Sequence, residues 1–335
     1  MSFLNNFEKK FYKNKKILVA GGTGLVGSQV LSILKEIDCK IISVSLDKGN
    51  IKNKKIRYLK SDLRYLHNCE KITKGIDIVI NLAGVAGSPQ ISKKKPRSIF
   101  IPNILFSLNL LEASKRNNVN TYLFASSYGV YNSKEEMKEE NMWTKPLSPN
   151  DIFGGWAKRT GELHVEAMLK EKDKMNIKIV RPSNIYGPFG NFDPKNSMVV
   201  HALISKILKS KKKVKLFGDG SEKRDFVFSR DVAASILMLL PKKTDHHVFN
   251  IGSGKPYSIK SLAEKILKIS NKKVKLNFQK KLYSGDKKRI MNVQRLNANG
   301  IKCETSLHEG LLETISWYKK NKKHFKKRYN SFDEK

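Results

Sequence analysis

The first half of the chain alternates short apolar runs with longer stretches in which apolar residues recur at helical spacing. Residues 17–19 form such a run, and the next apolar residues repeat every three or four positions, which predicts a strand followed by a helix. The same alternation predicts further strands at 41–46, 56–59, 77–82, 121–125 and 177–180, with a helix at 103–114. Strands separated by helical segments are typical of an α/β fold with a doubly wound parallel sheet.

Three glycines lie between the first predicted strand and its helix. Gly21, Gly24 and Gly27 follow one another at three-residue steps. A strand that turns through glycines into a helix presents backbone N–H groups at the positive end of the helix, where a pyrophosphate can bind. A tight turn also needs glycine for steric reasons alone. Because the strand precedes and the helix follows, we interpret residues 21–27, the glycine turn, as a nucleotide site.

Polar and small residues follow the other predicted strands, at the edge where doubly wound sheets bind ligands. Asp47 lies 20 residues after Gly27, the spacing at which an acid holds the adenosine ribose hydroxyls. Ser45 is the alternative occupant of that place, and a serine with Lys48 nearby tolerates a 2′-phosphate. The sequence therefore predicts NAD or NADP and leaves the choice between them open.

The second half of the chain predicts a smaller lobe interleaved with the sheet. Helices are predicted at 157–169, 199–208, 258–269 and 307–318, and a strand at 248–251 that returns to the sheet. We predict a dinucleotide-binding domain at 16–185, joined by 225–252, and a substrate lobe at 186–224 and 253–320. Residues 1–15 are predicted to be a leader helix or a loose arm, and 321–335 a charged, frayed tail.

Charge is the unusual feature of the composition, with 66 Lys and Arg against 30 Asp and Glu and a formal net charge of +36. Such an excess can indicate binding to nucleic acid or to an anionic membrane surface. Here the excess is nearly all lysine and spread along the chain, and the clusters at 93–95 and 211–213 are not interleaved with aromatic residues. We therefore favour a solvated surface over a nucleic-acid site.

The cysteines and the hydropathy indicate the compartment. Cys39, Cys69 and Cys303 are scattered and resemble neither a disulfide framework nor a metal site. No apolar run approaches the length of a membrane helix, and residues 2–16 are polar and lysine-rich, unlike a signal peptide. We expect a cytoplasmic protein with no membrane span and no metal.

In order and spacing, these motifs resemble the extended short-chain dehydrogenase/reductases of the nucleotide-sugar epimerase/dehydratase family, over residues 15–320. The marks are the glycine turn, residues 61–63, residues 81–84, Ser126 and Ser127 before Val130 and Tyr131, residues 181–188, residues 224–226 and Arg289. Residues 191–197 are similar to the GDP-fucose synthase branch. The resemblance implies a Rossmann-like fold, NAD(P), and epimerisation or keto reduction of a nucleotide-activated sugar for polysaccharide synthesis. It also implies a homodimer joined through the helices around Asn103 and after Lys158.

The resemblance further implies roles for individual residues. Ser127 would hydrogen-bond the sugar oxygen at the carbon that gains or loses hydride, and Lys158 would hold the nicotinamide ribose and supply positive charge. Asn184 and Arg224 would grip the nucleotide diphosphate, with Arg289 as a further substrate contact. Cofactor contacts fall on Gly21, Thr23, Gly24, Leu25, Val26, Gly27, Ser45, Asp47, Asp62, Leu63, Leu82, Ala83, Gly84, Lys158 and Arg181.

Some of these residues also have structural interpretations. Ser127 could cap a strand end, Lys158 could be a surface charge, and Arg224 could pair with Asp225.

The catalytic region departs from the family's pattern. The proton-transfer residue there is a tyrosine four positions before the lysine, and four before Lys158 is Gly154, with no tyrosine between Asn132 and Met175. A glycine cannot transfer a proton, so this position leaves the mechanism open. The cysteine and histidine of the fucose-synthase branch also correspond to Gly129 and Met198, which disfavours a 3,5-epimerase of that type.

Three explanations for Gly154 compete. Tyr128, Tyr131 or a desolvated Lys158 could move the proton, or water above Gly154 could relay it from Ser127. Alternatively, the chain could bind nucleotide without turnover, as a sensing member whose basic surface binds RNA or another anion. We expect an enzyme with a rebuilt pocket, in which substrate or Trp156 fills the volume above Gly154.

Overall fold

The structure is a computed structural model that describes residues 3–193, 196–279, 285–321 and 329–334. Its strands are β1 Lys16–Ala20, β2 Lys40–Ser45, β3 Ile56–Lys60, β4 Ile78–Asn81, β5 Thr121–Ala125, β6 Asn176–Pro182, β7 Asn184–Tyr186, β8 Lys213–Phe217, β9 Lys223–Arg224, β10 Phe226–Phe228, β11 Val248–Ile251, β12 Tyr257–Ser258, β13 Lys275–Gln279 and β14 Lys288–Arg289. Its helices are α1 Asn6–Tyr12, α2 Leu25–Leu34, α3 Leu66–Thr73, α4 Pro89–Lys94, α5 Arg97–Arg116, α6 Ile152–Lys170, α7 Val199–Lys209, α8 Ser229–Leu239, α9 Ile259–Ser270, α10 Gln294–Ala298 and α11 Leu307–Lys320.

A seven-stranded parallel sheet carries the fold, in the order β11-β6-β5-β4-β1-β2-β3. The strand order reverses at β1, which pairs in parallel register with β2 on one side and with β4 on the other. At such a reversal the connecting helices leave to opposite faces and open a crevice at the carboxyl ends of the strands. The predicted doubly wound α/β class is confirmed.

Helices cover both faces of this sheet with separate apolar layers. On one face α2 and α8 pack over Val19, Ile80 and Phe249. On the other face α3, α5 and α6 pack over Leu18 and Val79. The strands are buried from both sides, which explains why they read as continuous apolar runs in the sequence.

The N-terminal segment is a helix packed onto the core and not a loose arm. Asn5 and Glu8 form a capping box that begins α1. Tyr12 is buried, and its hydroxyl donates a 2.7 Å hydrogen bond to the carbonyl oxygen of Leu237 in α8. This contact attaches the first helix to the sheet domain.

A smaller lobe has its own apolar core and is built from segments that precede and follow the sheet strand β11 in the chain. Its centre includes Ile204 of α7, Ile266 of α9 and Leu311 of α11, with Leu216 from the β8–β13 pair. The predicted helices of this lobe are all present, each extended or shifted by a residue or two. Strand β11 leaves the lobe and pairs with β6 at the sheet edge, as the pattern predicted.

The two central helices are longer than the sequence predicts. Helix α5 contains Pro102, and α6 begins at Ile152, so Gly154 and Gly155 belong to its first turn. Proline and glycine are read as helix breakers, but the tight packing of α5 against α6 overrides that local preference here. Within the described part of the chain, no helix is long and apolar enough to cross a membrane.

Candidate active site

The glycine turn closes tightly against the end of β4. Gly21 has a φ of 73°, and a Cβ built on it would lie 2.8 Å from the carbonyl oxygen of Leu82. A Cβ at Gly27 would overlap the carbonyl oxygen of Gly21. Only glycine permits this approach, which places the N-terminus of α2 at the edge of the sheet. Gly24 is the N-cap of α2, and the first turn of that helix carries no acidic side chain that would repel an anion.

A cleft of about 780 Å³ opens at this point, above the carboxyl ends of β1 to β4. It brings together most of the predicted cofactor contacts: Gly21, Thr23, Gly24, Leu25, Ser45, Asp47, Asp62, Leu63, Leu82, Ala83 and Gly84. Val26 and Gly27 lie behind the turn, where Val26 packs against the core. The sequence positions therefore converge in space as strand-end residues of one sheet edge should.

Hydrogen bonds fix the loop after β2 at one end of the cleft. The hydroxyls of Thr23 and Ser45 lie 2.6 Å apart, and the Asn50 amide donates to the Thr23 carbonyl oxygen at 3.0 Å. Asn50 was missed in the sequence, where its place after Gly49 indicates a turn and nothing more. These contacts hold Asp47 at the cleft, and its backbone N–H donates to Ser45 Oγ.

The acid at the end of β3 is held by a neighbouring arginine. Arg64 donates to both carboxylate oxygens of Asp62, at 2.7 to 3.1 Å. Burial would raise the pKa of Asp62, but the hydrogen bonds and charge of Arg64 outweigh burial and lower it. The carboxylate is thus kept charged at this end of the cleft.

Lys158 lies beside Gly84, a residue that lines the cleft. Its Nζ donates to the Ala125 carbonyl oxygen at 2.7 Å and lies 3.7 Å from the position of a Cβ on Gly84. Among the described residues no carboxylate forms an ion pair with it. Burial therefore lowers the pKa of Lys158 to about 8, although the charge of Glu162 acts in the opposite direction. A lysine with this pKa exchanges protons near neutral pH.

Ser127 follows β5 and begins a short turn at Tyr128–Val130. Its Oγ accepts a 3.1 Å hydrogen bond from the Gly129 N–H, so Ser127 caps this turn and not the strand end that the sequence suggested. A hydroxyl that accepts one hydrogen bond still has its own proton to donate. The two interpretations of Ser127 are therefore compatible.

The volume above Gly154 is open at its base. A Cβ built on Gly154 would meet only Ile99 Cγ2, at 3.8 Å. Trp156 is 46% exposed, and its ring lies 5.6 Å from the guanidinium of Arg159. Trp156 is thus a partly exposed side chain beside Arg159, and the expectation that substrate or Trp156 fills this volume stays a prediction.

The two tyrosines proposed as substitutes differ in their surroundings. Tyr131 is buried, and its hydroxyl donates to Asn250 Oδ1 and accepts from Arg181, both at 2.7 Å. Tyr128 is partly exposed beside Arg289, whose guanidinium lies 5.2 Å from its ring. Burial and the Asp151 carboxylate raise the pKa of Tyr128, so less of its phenolate is present near neutral pH. Neither ring matches Lys158 as a group that titrates near neutral pH.

The structure does not place Arg181 at the cleft. Its buried guanidinium forms an ion pair with Glu162 and donates to the Glu139 carbonyl oxygen at 2.9 Å. A guanidinium whose donors are taken up by the protein cannot also hold a phosphate. Arg181 instead holds the segment around Glu139 against the sheet, which corrects the cofactor role expected for it.

Arg224 does not pair with Asp225. The Asp225 carboxylate accepts hydrogen bonds from the N–H groups of Ser253 and Gly254, at 2.9 and 3.1 Å. Arg224 donates to the Lys223 carbonyl oxygen, and among the described residues it forms no ion pair with a carboxylate. Burial lowers the pKa of Arg224, and the charge of Arg289 acts in the same direction. This arrangement favours the binding of an external anion.

Two further predicted substrate contacts are already engaged within the protein. Arg289 is buried between Asp151 and Asp286, and these carboxylates raise its pKa although burial opposes its charge. The Asn184 side-chain N–H donates to the Asp225 carbonyl oxygen at 3.0 Å. Both residues therefore shape the wall around Arg224.

Two positions correspond to the cysteine and histidine of the fucose-synthase branch. Gly129 is buried in the turn after Ser127, and Met198 is the N-cap of α7 and lines the cleft.

The chain is similar to known nucleotide-sugar enzymes along nearly its whole length. Residues 17–252 match the model of the NAD dependent epimerase/dehydratase family. GDP-L-fucose synthase of Sinorhizobium fredii is 29% identical over 315 residues, 92% of this chain and 96% of that protein. GDP-mannose 3,5-epimerase of Arabidopsis thaliana is 28% identical over 278 residues, which cover 79% of this chain and 72% of that protein.

The structure agrees with that similarity. The UDP-glucose 4-epimerase of Thermotoga maritima, solved with UDP-glucose, superposes with a TM-score of 0.80 at 28% identity, covering 91% of this chain and 99% of its own. The family match covers well over half the chain and includes the glycine turn, Ser127, Lys158 and Arg224. The chain belongs to the NAD-dependent epimerase/dehydratase family.

Proposed function

We propose that this protein catalyses NAD(P)-dependent epimerisation or keto reduction of a nucleotide-activated sugar, with Lys158 in place of the missing tyrosine. The observation that carries the proposal is a cleft that runs from the glycine turn to Gly84, where the Lys158 ammonium approaches it. Similarity to GDP-sugar and UDP-sugar enzymes supports this substrate class. Polysaccharide synthesis is a pathway in which such sugars are used.

The residues present fit a dinucleotide. Glycines whose Cβ atoms would meet backbone form a cradle at the N-terminus of α2, which suits a pyrophosphate. Asp47 and Ser45 lie where ribose hydroxyls would bind, with Leu63, Leu82 and Ala83 as apolar walls. When bound, NAD(P) supplies or accepts the hydride. The pair of Ser45 and Asp47 leaves both NAD and NADP open.

Proton transfer is assigned to Lys158. In keto reduction the protonated ammonium would give a proton to the carbonyl oxygen of the sugar, and Ser127 would donate a hydrogen bond to the same oxygen. For oxidation the neutral amine removes that proton. Because Lys158 has a pKa of about 8, both forms are populated near neutral pH.

The substrate's diphosphate is assigned to Arg224. Its guanidinium has two coplanar N–H edges that suit a phosphate, and it lies in a wall shaped by Asn184 and Arg289. The neutralised Arg289 adds little net charge, so Arg224 supplies most of the attraction.

A homodimer is the proposed assembly. Helices α5 and α6, which pack together, expose large apolar side chains: Ile101, Ile152, Phe153, Trp156 and Leu163. Contiguous exposed apolar surface of this kind is typical of an interface between protein copies. Light scattering of the parent and of Leu163→Glu checks it, and a parent that is monomeric would contradict it.

Mass spectrometry of small molecules released from the purified protein, followed by turnover on UDP- and GDP-sugars and their 4-keto forms, tests the function. A net change in nicotinamide absorbance indicates reduction, and an epimerised product without net change indicates epimerisation. Dinucleotide binding with no turnover on any sugar would instead favour the sensing member. No dinucleotide binding at all would overturn the cofactor site.

A further inference from the structure

The end of the chain lies in the cofactor cleft. Residues 329–333 line the cleft together with the glycine turn and the ends of β2 and β3. Phe332 is 3% exposed, and a Cβ built on Gly87 would lie 2.8 Å from its ring. The sequence predicted a frayed tail for this region, and a buried phenylalanine contradicts that for the described residues 329–334, which we term the C-terminal segment.

The C-terminal segment is anchored at both walls of the cleft. Arg64 binds both carboxylate oxygens of Glu334, at 2.6 and 3.0 Å. On the opposite wall Lys95 Nζ donates to the Phe332 carbonyl oxygen, and the Asn196 amide donates to Asn330 Oδ1 at 3.0 Å. Arg64, Lys95 and Asn196, which come from three separate parts of the fold, thus hold the six residues of the C-terminal segment in place.

The C-terminal segment contacts residues that we assign to the adenosine half of the dinucleotide. The Tyr329 backbone N–H donates to Asp47 Oδ1 at 2.6 Å, and a ribose hydroxyl would need to donate to the same carboxylate. Arg64 forms an ion pair with Glu334 and also donates hydrogen bonds to both carboxylate oxygens of Asp62. The buried ring of Phe332 lies near Gly87, its short turn contacts α5, and it lines the same cleft as Leu63 and Phe106. An adenine ring in that space would meet a phenyl ring that is already there.

We propose that the C-terminal segment is an internal competitor of the dinucleotide, seated in the adenosine end of the cleft and displaced when adenosine binds. The inference rests on the proposed function, which places a dinucleotide in this cleft. A protein whose binding-competent state is a fraction of the total binds its ligand more weakly by that fraction. If the segment is seated about nine-tenths of the time, removing its hold strengthens binding about tenfold.

ADP-ribose is the probe, because it carries the adenosine half and the pyrophosphate but cannot exchange hydride. Calorimetry compares the full-length parent with Phe332→Ala and with Tyr329→Pro, which removes the N–H donor to Asp47. We expect both variants to bind ADP-ribose more tightly, by about tenfold for Phe332→Ala. Phe217→Ala, the same change at an exposed ring of the smaller lobe, is the matched control and should leave the affinity unchanged.

Hydrogen exchange gives a second readout that does not depend on a variant. The backbone N–H groups of the C-terminal segment should exchange faster in the parent when ADP-ribose is added, because the segment leaves the cleft. Slower exchange with ADP-ribose, or weaker binding by Phe332→Ala, would show a strap that closes over the ligand and would overturn the proposal.

The two proposals fail in different ways. Equal affinity in the parent and both segment variants would overturn the internal competitor and leave the cofactor site standing. Absence of ADP-ribose and NAD(P) binding in all of them would overturn the cofactor site, and the internal competitor with it.

Discussion

The glycine turn at the cleft and the first turn of α6 are built differently, as a Cβ placed on a glycine of each shows. At the glycine turn, a Cβ at Gly21 or Gly27 would run into backbone atoms, so glycine is a steric requirement. At α6, a Cβ at Gly154 would meet only one methyl group at van der Waals distance. The cofactor end is therefore defined by backbone packing and the catalytic end by side chains around open space.

This contrast indicates which end can change its chemistry. A site built from crowded backbone tolerates few substitutions, because backbone atoms cannot move aside. A site built from side chains can lose one group and use another, provided that the second group titrates in the right range. Lys158 meets that condition where Gly154 has replaced the expected tyrosine.

Lys158→Met should have the largest effect, because it removes the proposed proton donor. We expect turnover to fall about 10² to 10⁴-fold while the fold and dinucleotide binding persist. In the parent, keto reduction needs the protonated form and should decline as the pH rises through about 8, whereas oxidation should increase. Lys170→Met, on the exposed end of the same helix, is the control. A pH profile without a limb near 8 would contradict the role of Lys158.

Gly27→Ala should have the second-largest effect, because the Cβ that it adds would overlap the Gly21 carbonyl oxygen. We expect a loss of about 3 kcal/mol in the free energy of unfolding, and weaker dinucleotide binding, as the turn is forced open. Gly154→Ala is the matched comparison at the open end, and it should be neutral or stabilising by up to about 1 kcal/mol, because alanine favours helix. Denaturant unfolding measures the free energy of unfolding of both variants. Similar losses of stability in Gly27→Ala and Gly154→Ala would contradict the difference between the two glycine sites.

Arg224→Ala should weaken binding of the sugar nucleotide without unfolding the protein. Removing one charge-assisted partner of a bound anion costs about 1.5–3 kcal/mol, a tenfold or greater loss of affinity. Calorimetry with the free nucleoside diphosphate measures this affinity. Arg57→Ala, at an exposed position of β3, is the control. Unchanged affinity with a lower melting temperature would indicate a structural arginine.

Gly154→Tyr should have the smallest effect on stability, with a gain of about 0.5 kcal/mol from helix propensity. Its hydroxyl would lie one helical turn before Lys158, whose ammonium lowers the pKa of a phenol. We expect turnover to rise several-fold, since a Cβ at Gly154 would have open space around it among the described residues. Gly154→Phe supplies the ring without the hydroxyl. Equal loss of turnover in both variants, with dinucleotide binding intact, would show that substrate uses this space.

The sequence by itself determined the features that depend on neighbouring residues. Apolar runs followed by helical periodicity specify the strands and helices of the sheet, and glycines at fixed steps specify the turn between β1 and α2. Because parallel strands end at one edge, the strand-end residues Ser45, Asp47, Asp62 and Leu82 could be assigned to one cleft without knowledge of their contacts.

Only the tertiary structure decided what each charged or buried side chain faces. Arg181 and Arg224 look alike in sequence, yet Glu162 neutralises the first and Asp225 turns away from the second. Lys158, whose pKa burial lowers, contacts Ala125 of β5 and lies beside Gly84 after β4, two segments that are far apart in the chain. Phe332 is buried over 200 residues from the helix that it meets. Such contacts depend on how distant segments pack, and no local pattern records them.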